Sequence, residues 1–174
     1  DPLLADFLSF VSDKNLPVPV ITALIDGLLQ DQNPVRIVDT TELLRYAYRV
    51  AGTVGLLMCH ILDCDDDKAR AHAIDLGIAM QLTNIARDVL EDAKMGRRYV
   101  PASWLDDLTP TEIIEAALEP DCHSAQSIGA AVRQLLVLAD KYYRSGTAGL
   151  IYLPWRAHIA IAIAAKVYRQ IGVQ

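Results

Sequence analysis

The segment Gln81-Leu-Thr-Asn-Ile-Ala-Arg-Asp-Val-Leu-Glu-Asp92 carries the most informative pattern in this sequence. Helical residues advance by about 100° each, so Asn84, Asp88 and Asp92 fall on one face, with Gln81 beside them. An apolar stripe lies directly next to that face and consists of Ile78, Leu82, Ile85 and Val89. The segment is therefore predicted to form a largely apolar helix with one polar stripe, the reverse of a surface helix.

Two carboxylates one turn apart on such a helix need a compensating cation. Asp88 and Asp92 repel each other at this spacing, and burial raises the cost further. Mg²⁺ prefers oxygen ligands and commonly uses one or two carboxylates together with substrate phosphates. The polar stripe therefore suits a phosphate-bound Mg²⁺, with Arg87 at its flank to reach a phosphate. The alternative, a solvated acidic edge paired with Arg or Lys, stays open from the residues alone.

Length and composition predict one all-α domain, residues 1–174. The chain has the length of a single domain, and its 52% hydrophobic content can bury a sizeable core. Ala and Leu occur 23 times each, which favours helices throughout. Helices are predicted over about 2–12, 17–30, 40–62, 68–93, 110–118 and 124–144 and from 155 onward, with breakers at 31–34 and 63–67.

Charge and cysteine content exclude several classes of protein. The net charge is −6 and the isoelectric point is near 5.1, which argues against a nucleic-acid-binding protein. Three cysteines do not form a secreted disulfide framework, so a reducing, cytoplasmic compartment is expected. The most apolar run, from Tyr46 to Leu62, is short for a membrane span and contains Arg49 and His60.

A second informative segment is Tyr46-Ala-Tyr-Arg-Val-Ala-Gly-Thr-Val-Gly55. Two glycines inside a helix cost roughly 1 kcal/mol each relative to Ala, so something must offset them. Small side chains at Ala47, Ala51 and Gly55 lie on one face. Either a neighbouring helix approaches closely there or an elongated apolar ligand lies along it. Tyr46 is expected to place its hydroxyl at the top of the same wall.

Together the two segments resemble the squalene/phytoene synthase family, the head-to-head trans-isoprenyl diphosphate synthases. Gly96–Leu105 resembles the segment that follows the second aspartate motif of that family. Segments near Tyr142, Gly146, Pro154 and Lys166–Gly172 resemble its bacterial phytoene synthases. The resemblance runs from about Leu16 to Gln174 and implies an isoprenoid-synthase-type helical bundle.

The resemblance also implies roles for individual residues. Asp88 and Asp92, supported by Asn84, would hold Mg²⁺ or Mn²⁺. Diphosphate would contact Gln81, Asn84 and Arg87, and Tyr168 would lie nearby. Tyr46 and Tyr99 match pocket tyrosines near the reacting carbons. The residues implied to line the prenyl channels are Val50, Ala51, Val54, Gly55, Ala73, Leu76 and Met80.

The implied reaction is the Mg²⁺-dependent, head-to-head condensation of two geranylgeranyl diphosphates to phytoene through a cyclopropyl diphosphate, in carotenoid biosynthesis. No NADPH is expected for that reaction. The alternatives are a squalene or dehydrosqualene synthase that uses farnesyl diphosphate, and a non-catalytic relative that acts as an assembly factor. Lipophilic substrates and products imply peripheral association with a membrane.

One part of the family pattern has no match in this sequence. The family uses two aspartate motifs on facing helices, and only the second is recognisable. Asp1 and Asp6 miss the required spacing by one residue, while Asp63 and Asp67 lie in a predicted break between helices. The chain is therefore expected to be the central and C-terminal part of a bundle without the helices of the first motif and without the C-terminal end. On its own it is expected to show little catalysis.

Overall fold

Residues 1–64 and 66–172, which the computed structural model describes, form α-helices joined by short connections. Asp65, Val173 and Gln174, which belong to the predicted breaker and to the end of the resemblance, lie outside this part. The helices are α1 (Pro2–Asp13), α2 (Val18–Gln30), α3 (Thr40–Ala47), α4 (Thr53–Ile61), α5 (Asp67–Arg87), α6 (Val89–Lys94), α7 (Pro110–Ala116), α8 (His123–Ala148) and α9 (Trp155–Ile171). A π-helical turn (Tyr48–Gly52) joins α3 to α4, and 3₁₀ turns occupy Ala102–Trp104 and Gly149–Tyr152. The prediction of an all-α fold is confirmed.

Helix α5 lies at the centre of the fold. It packs most extensively against α8 and also against α4 and the π-helical turn. Its predicted apolar stripe is in the core, where Leu82 is fully buried and Ile78 and Ile85 are nearly so. Opposite these residues, α8 contributes Leu135 and Ala139 to the same core. Because α5 is covered on several sides, a polar group on it is held away from bulk water.

The helix starts follow local sequence signals. The carboxylate of Asp39 accepts a hydrogen bond from the Glu42 amide at 2.9 Å and so caps the start of α3. Thr109 and Glu112 form a reciprocal capping box at the start of α7. These caps satisfy amide groups that the first helical turn would otherwise leave without acceptors.

Two predicted helices differ from the structure in their interior. The predicted run 40–62 contains the π-helical turn, so it is not one regular α-helix. The predicted run 68–93 is interrupted at Asp88, whose φ of −101° and ψ of 16° separate α5 from α6. Periodicity alone did not reveal either interruption, since the apolar residues keep their helical spacing through both.

Helix α5 approaches α4 and the π-helical turn closely through glycine. A Cβ placed on Gly55 would lie 2.2 Å from the carbonyl oxygen of Ala73. A Cβ on Gly77 would lie 2.3 Å from the carbonyl oxygen of Ala51. The small residues of the second segment therefore serve the contact between helices, and this offsets the cost of glycine within a helix.

We predict that Gly55→Ala lowers the free energy of unfolding by roughly 1–3 kcal/mol, because the added methyl group cannot fit against backbone. The matched control is Gly129→Ala on α8, where a new Cβ would meet only the end of Arg133 at 3.6 Å. That variant should gain up to about 1 kcal/mol from helix propensity. Urea unfolding of both variants checks the prediction, and equal stabilities would contradict the close approach.

Candidate functional site

A cavity of about 390 Å³ lies between the π-helical turn, α4, α5 and α9. Its volume is within the range of small-molecule sites. All seven residues named for the prenyl channels line it, namely Val50, Ala51, Val54, Gly55, Ala73, Leu76 and Met80. Sequence reasoning missed further lining residues, among them Met58, His72, Leu153 and Ile161, because they lie on other turns or elements that only the fold brings together.

The same cavity has a polar end on α5 and α9. Gln81, Asn84 and Tyr168 line it together with the apolar walls. The side-chain oxygen Oδ1 of Asn84 is buried and has no hydrogen-bond partner within the described residues. A buried, unpaired amide oxygen is costly, so it marks a place where a ligand or a cation would be stabilised.

Asp88 and Asp92 continue this polar face beyond the cavity. The amide of Asp88 donates to the Asn84 carbonyl at 2.9 Å, and the amide of Asp92 donates to the Asp88 carbonyl at 2.8 Å. Because both bonds have helical spacing, Asn84, Asp88 and Asp92 keep a common face despite the bend at Asp88. Neither aspartate lines the large cavity. Asp92 instead lines a pocket of about 10 Å³ that it shares with Tyr99.

The two carboxylates have different surroundings. Burial, and next the charge of Asp88, raise the pKa of Asp92 from its ordinary 3.8 to about 6. The Asp88 carboxylate is paired instead with its neighbour: Arg87 donates through Nε to Oδ1 and through Nη2 to Oδ2, both at 2.6 Å. Asp92 is therefore the carboxylate whose charge lacks sufficient compensation.

Tyr46 and Tyr99 are joined by a residue that sequence reasoning took only for a helix breaker. Both hydroxyls donate to the Asp31 carboxylate, Tyr46 to Oδ2 at 3.0 Å and Tyr99 to Oδ1 at 2.8 Å. Their rings stack with centroids 4.8 Å apart. Burial is the main cause that raises the pKa of Tyr99 to about 12 and that of Tyr46 still further above its usual value.

These contacts place the two tyrosines differently from the expectation. The Tyr46 hydroxyl points to Asp31, and neither tyrosine lines the large cavity. Arg97 also donates to the Asp31 carbonyl oxygen at 2.7 Å, which ties the end of α2 to the connection before Tyr99. A single sequence offers no signal for this role of Asp31, because its neighbours have ordinary breaker composition.

The residues of the polar face fit a hard divalent cation. Within residues 1–64 and 66–172, no three His, Cys, Asp or Glu side chains group into a metal site by themselves. The face presents two carboxylates and one buried amide oxygen, the donor set that Mg²⁺ accepts when phosphates and water complete its shell. Asp63 and Asp67 instead form exposed ion pairs with Lys14 and Arg70.

The chain is similar to known proteins along its full length. The family model described as squalene/phytoene synthase matches residues 1–174. The chain belongs to this family. It is 39% identical over its full length to a phytoene synthase of Pseudescherichia vulneris. It is 43% identical, over 86% of its length, to a 15-cis-phytoene synthase of Pantoea ananas. The family resemblance inferred from the two segments is thus confirmed.

Solved structures of family members share the fold. A squalene synthase, HpnC from Alicyclobacillus acidocaldarius, aligns with a TM-score of 0.82 and 22% identity over 94% of the chain and 60% of its own. A dehydrosqualene synthase in complex with ligand aligns with a TM-score of 0.78 and 27% identity over 94% of the chain and 56% of its own. The chain spans about half the length of the curated relatives, 55% and 47% of the two named above. In the described part, no helix is both long and apolar enough to cross a membrane.

We predict that Asp31→Ala costs roughly 2–4 kcal/mol of unfolding free energy, because two hydroxyls lose a charged acceptor. In the background Tyr46→Phe/Tyr99→Phe the same change should cost much less, since the hydroxyls are already gone. Urea unfolding of the four proteins forms a double-mutant cycle with an expected coupling of about 1–3 kcal/mol. A coupling near zero would show that Asp31 does not hold the tyrosines.

We also predict a pH dependence that comes from Asp92. Its pKa of about 6 in the folded chain exceeds the ordinary 3.8, so between these values the folded state binds more protons than the unfolded state. The contribution of Asp92 to stability therefore falls as pH rises through this window.

Asp92→Asn removes this contribution, so its unfolding free energy should rise relative to the unsubstituted chain from pH 4 to pH 7. The measurement is urea unfolding across that range without divalent metal. Asp88→Asn serves as a second variant: by removing a neighbouring charge it should shift the window to lower pH. A constant difference between Asp92→Asn and the unsubstituted chain would refute the raised pKa.

Proposed function

We propose that this chain forms part of a phytoene synthase, which joins two geranylgeranyl diphosphates head to head through a cyclopropyl diphosphate. In this proposal the prenyl chain occupies the apolar cavity, and the diphosphate lies at the polar face of Asn84, Asp88 and Asp92. The observation that carries it is the Asn84 oxygen, which has no hydrogen-bond partner among the described residues. This oxygen belongs both to an apolar cavity and to a face with two carboxylates. The curated relatives, which are named phytoene synthases, support the choice of reaction.

Asp88, Asp92 and Asn84 would hold Mg²⁺ or Mn²⁺. When bound, the metal would stabilise the charge that develops on the departing diphosphate. Gln81 and Arg87 would bind diphosphate oxygens at this face, and Tyr168 lines the same cavity as Gln81. The proposed reaction consumes no NADPH.

The cavity walls would protect the reactive carbons. An allylic cation is quenched by water, and walls such as Val54, Leu76 and Met80 exclude water from the bound chain. We assign Tyr46 and Tyr99 to the catalytic group on the basis of the family resemblance, although neither lines the cavity. Aromatic faces stabilise cations, and the pairing with Asp31 fixes both rings in one orientation.

The experiments have to distinguish the proposed function from two alternatives. A squalene or dehydrosqualene synthase would accept farnesyl diphosphate, and the fold similarity to such enzymes favours keeping this candidate. A non-catalytic assembly factor would bind neither prenyl diphosphate with metal. The proposal also includes a cytoplasmic enzyme that associates peripherally with membranes, because its substrates and product are lipophilic.

Binding of a non-reactive thiolo analogue of geranylgeranyl diphosphate, measured by calorimetry, tests the site directly. We expect binding that requires Mg²⁺ and that exceeds binding of the farnesyl analogue. Asp88→Asn and Asp92→Asn should weaken it about tenfold or more, since even outer-shell partners of a metal are worth 10- to 100-fold. Asp63→Asn, which changes an exposed carboxylate, is the matched control. Metal-independent or absent binding would favour the assembly factor.

Product analysis then tests the reaction. After incubation with geranylgeranyl diphosphate and Mg²⁺ without NADPH, phytoene is the expected product. We expect little of it from these 174 residues alone, because a single aspartate motif supplies half of the family's carboxylates. Full turnover would contradict the need for the first motif, while products formed only from farnesyl diphosphate would replace the proposed substrate.

A further inference from the structure

The pairing of Arg87 with Asp88 occupies a carboxylate that the proposed function needs. The guanidinium binds both oxygens of Asp88 in a fork, with two distances of 2.6 Å. Adjacent residues of a regular helix do not face each other. They meet here where the chain leaves α-helical geometry at Asp88, between α5 and α6. The bend and the fork therefore occur at the same residue.

Arg87 also lies near charged and polar groups other than Asp88. Its charge interacts with Tyr168 and Asp92 as well as with Asp88. Tyr168 lines the large cavity, so the guanidinium lies near a residue of the cavity wall as well as near the carboxylates. The side chain is about half exposed, which leaves it free to reorient. A guanidinium binds phosphate with the same forked geometry as carboxylate.

We propose that Arg87 exchanges partners, from the Asp88 carboxylate to a diphosphate, when a divalent cation binds Asp88. This proposal rests on the metal and diphosphate site of the proposed function. Before binding, Arg87 neutralises Asp88 and competes with the cation for its oxygens. Afterwards the displaced guanidinium supplies donors for the diphosphate. The cation and the diphosphate therefore bind cooperatively, and a cation alone binds more weakly than the carboxylates would otherwise allow.

A simpler explanation is that the positive charge of Arg87 repels the cation. Arg87→Lys separates the two explanations, because lysine keeps the charge but cannot form the two-pronged pair. Arg87→Gln removes both the charge and the fork. The probes are Mn²⁺ alone, followed by electron paramagnetic resonance, and the preformed 1:1 complex of Mn²⁺ with pyrophosphate.

With Mn²⁺ alone, we expect Arg87→Lys to bind about two- to fivefold more tightly than the unsubstituted chain, the size of an exposed ion pair. With the Mn²⁺–pyrophosphate complex, we expect Arg87→Lys to bind more weakly, because lysine lacks the fork for phosphate. The preference for the complex over the bare ion should therefore shrink in this variant.

Equal behaviour of Arg87→Lys and the unsubstituted chain toward both probes would overturn the exchange. Tighter Mn²⁺ binding by Arg87→Gln alone would also overturn it, in favour of simple repulsion. If neither the unsubstituted chain nor Arg87→Gln, in which Asp88 is released, binds Mn²⁺, then the metal site of the proposed function fails and the exchange fails with it. The first two outcomes leave that site intact, so the two failures are distinguishable.

Discussion

The close backbone contact of α5 with α4 and the π-helical turn is the constraint on which the other features depend. At Gly55 the carbonyl of Ala73 occupies the place of a side chain, and at Gly77 the carbonyl of Ala51 does the same. The residues of this contact also line the cavity, which extends along α5 as far as Asn84. The same glycines that hold the helices together thus align an apolar channel with a polar face.

The carboxylates at the polar end of α5 differ in how the nearby arginines pair with them. Arg87 forms a two-pronged pair with Asp88, whereas Arg97, which lies near Asp92, donates to the backbone carbonyl of Asp31. Arg97 still lowers the pKa of Asp92, although burial and the charge of Asp88 outweigh it. Asp31 adds a further negative charge, which is stabilised by hydrogen bonds from two tyrosine hydroxyls. The result is one compensated carboxylate beside one that is not.

Helical periodicity and the family resemblance each account for part of what could be predicted from the sequence. The buried stripe of α5 depends on helical spacing, which a single sequence contains, whereas the seven cavity residues were named from the family resemblance. The bend at Asp88 escaped prediction because helical hydrogen bonds continue on both sides of it. The role of Asp31 also escaped, because it depends on Tyr99, a residue 68 positions away. Asp31 does follow the end of α2, so the prediction of a helix breaker there was correct. Its hydrogen bonds with the tyrosines were not predicted.

The two interpretations of the acidic stripe can now be weighed against particular atoms. A solvated acidic edge accounts for Asp88, which is partly exposed and paired with arginine. It does not account for Asp92, whose pKa near 6 reflects burial beside a like charge. Nor does it account for the buried Asn84 oxygen, which lacks a partner among the described residues. Oxygen-preferring cations bound along this face would stabilise the Asp92 carboxylate and supply the Asn84 oxygen with a partner. The unexplained atoms therefore favour the metal site over the solvated edge.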